Sequence, residues 1–179
     1  MLRVLARDMV VTAEHPRAEL SDGGRLEELF RVHAPEATRL AFLLTGERAL
    51  AEDLVQDAFV KLLGRFRDLR NPDAFWWYLR RTIVNLSRSQ FRRRKVERAW
   101  LASQRPEAAA PGPDLGERDR MHRALMTLRP EQRAAIVLRY YEDLSEADTA
   151  EALGIPIGTV KSTVSRGMDR LREELTRDA

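Results

Sequence analysis

The chain has no cysteine. That excludes disulfides, thiolate metal sites and cysteine nucleophiles. Histidine is scarce, and His15, His33 and His122 are too scattered to suggest a zinc site. There is no glycine-rich phosphate loop, no metal-ligand cluster and no Ser/His/Asp arrangement, so no catalytic residue, cofactor or metal is expected. No apolar run approaches the roughly 20 residues needed to cross a bilayer. The opening MLRVLARDMVV carries too short an apolar run for a signal peptide, so a cytoplasmic protein without membrane insertion is expected. Strand-like alternation is missing over any useful length, which points to an all-α fold.

What the chain does have is charge, unevenly distributed. Its 179 residues suffice for one medium domain or two small helical ones, and 44% hydrophobic content allows a packed core. Charged residues make up 33%, a high share that implies much solvated or ligand-facing surface. The net charge of +3 and the pI of about 9.7 say little about partners by themselves. The distribution says more. Arg80, Arg81, Arg88, Arg92, Arg93, Arg94, Lys95 and Arg98 face the single acid Glu97, whereas Glu47, Glu52, Asp53 and Asp57 gather elsewhere. One cationic and one anionic surface suggest two kinds of partner.

Residues 1–24 show little periodicity and end in Ser21-Asp22-Gly23-Gly24, which reads as a flexible extension. From Leu26 the spacing turns helical through Leu29, Phe30, His33, Ala37, Leu40 and Leu44, and Thr45-Gly46 stops it. Leu50, Leu54, Ala58, Phe59, Leu62 and Phe66 form a second stripe, so two amphipathic helices should pack together. Asn71-Pro72-Asp73 opens a third helix, with Leu79, Ile83 and Leu86 on one face. Pro106, Pro111, Gly112, Pro113 and Gly116 break every period and mark a flexible linker over 101–117. This divides a domain at 25–100 from one at 118–176. In the second, Pro130 opens a helix to about Tyr141, Ser145 and Asp148 are spaced as a helix cap, and Gly154 ends the short helix they start. A last helix begins near Ile157 with Ile157, Val160, Val164, Met168 and Leu171 expected inward.

The segment LSEADTAEALGIPIGTVKSTVSRGMDRLR, Leu144 to Arg172, carries the most specific pattern. A short helix, a turn glycine and a second helix match helix-turn-helix geometry, with Ala147, Ala150 and Ala152 small enough for the crossing. The outer face of the last helix then offers Lys161, Ser162, Ser165 and Arg166, which suit base edges and phosphates. An ordinary solvated charged face is the plainer alternative. The motif alone also fits response-regulator output domains of the LuxR type. The longer run LRPEQRAAIVLRYYEDLSEADTAEALGIPIGTVKSTVSRGMDRLR resembles region 4 of extracytoplasmic-function (ECF) sigma factors, group 4 of the sigma-70 family, of the actinobacterial SigE-like type. The resemblance implies that Lys161, Ser162, Ser165 and Arg166 contact the −35 promoter element. Thr163 stands where many members have Arg, so a contact of that family is expected to be missing.

NPDAFWWYLRRTIVNLSRSQFRRRK, Asn71 to Lys95, mixes flat rings with cations. Opening a duplex needs rings for unpaired bases to stack on, cations for phosphates and polar groups for base edges. Arg81, Asn85, Arg88 and Arg92 fall on one helical face. Core packing is the bland account of any single aromatic, and Tyr78 is the one expected in the core. This segment resembles the part of sigma region 2 that melts and captures the −10 element. The resemblance implies roles there for Asn71, Asp73, Trp76, Trp77, Arg81, Asn85, Arg88 and Arg92.

LAEDLVQDAFVKLL, Leu50 to Leu63, puts Asp53, Gln56, Asp57 and Val60 along one edge. Charge alone would make this a solvated face. The run AEDLVQDAF resembles the polymerase-binding helix of sigma region 2, which implies docking through Asp53, Gln56 and Asp57. By the same resemblance the partners are core RNA polymerase, promoter DNA and an anti-sigma factor, with no obligate homo-oligomer. The rival reading is a stand-alone helix-turn-helix transcriptional regulator, which needs no polymerase. An enzyme acting on nucleic acid is disfavoured by the missing chemistry.

Overall fold

The computed structural model describes residues 22–66, 73–102 and 116–177, and among them there is no strand. Three helices form the N-terminal unit: α1 (Asp22–Thr45), α2 (Arg48–Phe66) and α3 (Asp73–Ala102). Four form the C-terminal unit: α4 (Gly116–Met126), α5 (Pro130–Ile136), α6 (Glu146–Leu153) and α7 (Ile157–Arg177). A π-helical turn, Val137–Tyr141, continues α5.

The punctuation is local chemistry. Gly46 ends α1 at φ +80°, a left-handed backbone that a side chain would strain. The Thr45 hydroxyl donates to the Ala41 carbonyl in the last turn of α1. Ser145 caps α6 by accepting the Asp148 backbone N–H at 3.0 Å, and Gly154 closes it at φ +62°. Pro130 sits at the start of α5, where its missing N–H costs nothing.

α1, α2 and α3 bury Leu40, Leu44, Val55, Phe59, Phe75, Leu79 and Ile83 between them. That core does not end at the unit boundary. It runs on into Leu125, Ala135, Ile136, Leu138 and Leu153 of the C-terminal helices. α3 packs on α5 and α6, while α1 packs on α4, α5 and the π turn. The two units are therefore closed on each other, which the expectation of separately acting domains did not foresee.

Several boundaries differ from the sequence reading. α1 starts at Asp22, so part of the segment assigned to the extension is helix, and Gly23 and Gly24 do not prevent it. Residues 103–115 lie outside the described residues, and with them most of the expected linker. Its flanks are helical, since α3 reaches Ala102 and α4 begins at Gly116. The helix from Pro130 loses α geometry after Ile136 and finishes as the π turn. Residues 1–21, with most of the proposed extension, also lie outside the described residues.

Candidate nucleic-acid interface

α7 is strongly two-sided. Val160, Thr163, Gly167 and Leu171 are buried at spacings of three and four. Lys161, Ser162, Ser165 and Arg166 are all exposed on the opposite side. Arg166 lies back along the helix, where its Nε donates to the Ser162 carbonyl at 3.1 Å and Nη2 reaches the Ser162 hydroxyl at 3.3 Å. A groove beside this face is walled by Arg139, Tyr140, Glu146, Lys161, Ser165 and Arg172, a surface with more cations than anions. Arg139 and Arg172 are contributions the sequence reading did not single out.

Two inward assignments on these helices need correction. Ile157, at the first position of α7, is 53% exposed. Ala147 is exposed as well, and Ala150 and Ala152 alone supply the small residues at the crossing. Thr163 is buried, so that position does not lie on the outward face at all. Thr163 packs inward and offers no outward contact of its own.

On α3 the aromatic run divides differently from expectation. Phe75 is buried, with its ring 5.6 Å from Phe59, whereas Tyr78 is 42% exposed and outside the core. Trp76 is half-buried and stacks on His33 at 5.6 Å, and Trp77 is half-buried beneath the Arg81 guanidinium at 5.1 Å. Burial between these rings holds the His33 imidazole below its ordinary value. Asn85 and Arg92 are exposed, and Arg92 donates to the Ser89 hydroxyl at 3.1 Å. Asn85 lines a groove with Lys61, Thr82 and Ser89, between α2 and α3. Asn71 and the side chain of Asp73 lie outside the described residues.

Two members of the cationic face of α3 are engaged by the C-terminal unit. Arg81 pairs with Glu151 of α6 at 3.6 Å, and Arg88 donates to the Leu153 carbonyl at the end of α6. Next to them lies an ion pair that the sequence reading missed. Arg80 Nε meets Glu142 Oε2 at 2.7 Å, with the two side chains only 11% and 2% exposed. Burial raises the Glu142 carboxyl above its ordinary value, and nearby Glu36 adds to this, while Arg80 and the Trp76 indole oppose it. The clue to Arg80 was its phase: it stands one turn before buried Val84. Nothing in the sequence pointed to Glu142.

The acidic edge of α2 is free of such cover. Asp53, Gln56 and Asp57 are exposed, and Val60 beside them is 66% exposed. Leu54, Val55, Ala58 and Phe59 fill the opposite side of the helix. Among the described residues there is no group of acids and histidines that could hold a metal, and no helix is long and apolar enough to cross a membrane.

The architecture matches known proteins in both units. Residues 29–97 match the family model of sigma-70 region 2, and residues 118–171 match that of sigma-70, region 4. The chain belongs to the ECF sigma factors. It is 39% identical to an RNA polymerase sigma-E factor of Streptomyces avermitilis over 154 residues, 83% of this chain and 84% of that one. With the ECF RNA polymerase sigma factor SigE of Mycolicibacterium smegmatis it shares 36% identity, covering 84% of this chain and 62% of that one. Among solved structures, the Bartonella quintana sigma factor RpoE in complex with the anti-sigma factor NepR superimposes with a TM-score of 0.69 at 29% identity, covering 87% and 99% of the two chains. CnrH, solved with the cytosolic domain of CnrY, shares the fold with a TM-score of 0.61 at 24% identity, over 86% and 89% of the two chains. As a sigma factor the chain is a transcription initiation factor.

Proposed function

We propose that this sigma factor docks on core RNA polymerase through Asp53, Gln56 and Asp57 and reads promoter DNA with two further surfaces. The observation that carries the reading is that this acidic edge is fully presented while the cationic faces lie on other helices. Acidic side chains on an exposed edge steer and register a basic partner surface. Lys161, Ser162, Ser165 and Arg166 meet the −35 element in the major groove. Asn71, Asp73, Trp76, Trp77, Arg81, Asn85, Arg88 and Arg92 serve the −10 element, where captured bases stack at roughly 1–3 kcal/mol each. The chain acts by binding in the cytoplasm and performs no bond chemistry of its own.

The closed arrangement gives this mechanism an order of events. Arg81 and Arg88 are turned towards Glu151 and the Leu153 carbonyl in the closed form, and phosphates would compete with those contacts. Docking on polymerase would separate the units and release Arg81 and Arg88, the members of the −10 face that contact α6. An anti-sigma factor that prefers the closed form would oppose that step by its differential affinity. The Bartonella quintana sigma factor RpoE, solved in complex with the anti-sigma factor NepR, supports this reading.

Transcription with purified core polymerase on genomic DNA tests the function. The expected result is a set of transcripts whose start sites share −10 and −35 sequences, lost on Lys161→Glu/Arg166→Glu substitution. Duplex binding with no promoter-specific transcript would instead establish a stand-alone regulator.

A further inference from the structure

Where the two units meet there is a cavity of about 540 Å³ whose walls come from both of them. Gly46 and Glu47 line it from the turn between α1 and α2, Phe91 and Arg94 from α3, and Met126 and Arg133 from α4 and α5. Arg133 is the unusual member. It is only 4% exposed. Its guanidinium lies over the Phe91 ring at 4.8 Å and touches the Met126 sulfur, and its Nε has no hydrogen-bond partner among the described residues. Neither a ring face nor a thioether neutralises a cation. Burial holds Arg133 down to about 10, so it remains charged at neutral pH.

A buried charge without a counter-charge is among the costliest arrangements in a fold, and native chains keep one where something answers it. No carboxylate among the described residues does so here. Glu47 lies in the same wall, but it is bound to Arg94 through two guanidinium nitrogens, one of them at 2.9 Å. The wall therefore holds two guanidinia and one carboxylate, an excess of one positive charge. A planar guanidinium presents paired N–H donors in the geometry that a carboxylate accepts. The cavity is roomy enough for a small carboxylic acid or one acidic side chain.

We propose that this cavity is a carboxylate-binding site, in which Arg133 holds the anion and Arg94 assists from the opposite unit. The anion comes from one of two sources: a free dicarboxylate, or an aspartate or glutamate side chain on a bound polypeptide. Because its walls belong to both units, an occupant stabilises their closed arrangement by mass action. This site shares no residue with the DNA and polymerase surfaces, so it stands or falls apart from them.

The test is calorimetric titration of the full chain with succinate and, separately, with a short acetylated peptide carrying one central glutamate. Chloride at matched ionic strength controls for screening. The expected result is saturable 1:1 binding of at least one probe, a melting temperature that rises with it, and weakening of about tenfold or more in Arg133→Met. Succinate binding assigns a free anion, and binding of the peptide alone assigns a partner's side chain. If Arg133→Met fails to fold, Arg133→Lys and Arg94→Met carry the comparison, each expected to weaken binding. Silence with both probes, or affinity unchanged in the folded variants, overturns the site.

Discussion

At the residue scale, the Arg80–Glu142 pair makes the sharpest demands. Removing one partner of a buried pair leaves the other charge uncompensated, at a cost of about 3–5 kcal/mol. Arg80→Met is expected to destabilise by that order at neutral pH, read from denaturant midpoints. The loss should shrink on acidification. Glu142 titrates above its ordinary value in the folded chain because it is buried, so the folded state binds its proton more readily than the unfolded state. Its contribution is therefore most favourable at low pH and declines as pH rises from the ordinary carboxylate value through the raised one. Without Arg80 opposing that shift the window widens. Glu142→Gln should abolish this part of the pH dependence, and a pH-stability difference that stayed flat between Arg80→Met and Arg80→Met/Glu142→Gln would contradict the assignment.

His33 titrates in the opposite sense. Burial between Phe75 and Trp76 favours its neutral form, so its share of stability is present above its ordinary value and is lost as pH falls through it towards the lowered one. The ring chemistry of His33 should follow by NMR titration, with its imidazole resonances shifting below pH 6.5. An inflection above that value would show that the ring stack does not shield it.

At the element scale, the helix-turn-helix rests on a cap and a close contact. Ser145→Ala removes the acceptor for the Asp148 N–H and should cost about 1 kcal/mol of stability. Gly167→Ala is expected to cost more, about 1–3 kcal/mol, because an added Cβ would lie 2.7 Å from Ile136 Cδ1 and 3.2 Å from Gln132 Cβ. Thermal unfolding of the two variants checks both, and a stabilised Gly167→Ala would mean that α5 and α7 pack less tightly than this. These elements were also the most legible in the sequence. Caps, turn glycines and helical spacing act within four residues, so Ser145, Gly154 and the stripe of α7 could be read locally. Phase was readable too, though harder. Phe75, two turns before Ile83 and one before Leu79, belongs to the core stripe, while Tyr78 is rotated by about 100° from Leu79. Four aromatic residues in a row hid that difference. What periodicity could not reveal is partnership across the chain: Arg80 and Glu142 lie 62 residues apart, and no local rule couples them.

At the scale of the whole molecule, the units are neither independent nor free to present every surface at once. α6 covers part of the α3 face proposed to serve the −10 element, and the core runs through the junction. The chain has no cysteine, so single labels can be introduced without background. A cysteine pair at Ser89 and at Ala147, an exposed position of α6, should report a shorter separation in the free chain than when core polymerase is added. A separation that polymerase leaves unchanged would mean that opening is not part of docking.

The exposed edge of α2 is proposed as the polymerase surface, and the face of α7 is not part of it. Affinity for core RNA polymerase, measured without DNA for two charge-reversed variants, tests it most directly. Asp53→Lys/Asp57→Lys should lose polymerase association while remaining folded, and Lys161→Glu/Arg166→Glu should keep it. Unchanged affinity in the first variant, or an equal loss in both, would contradict the account.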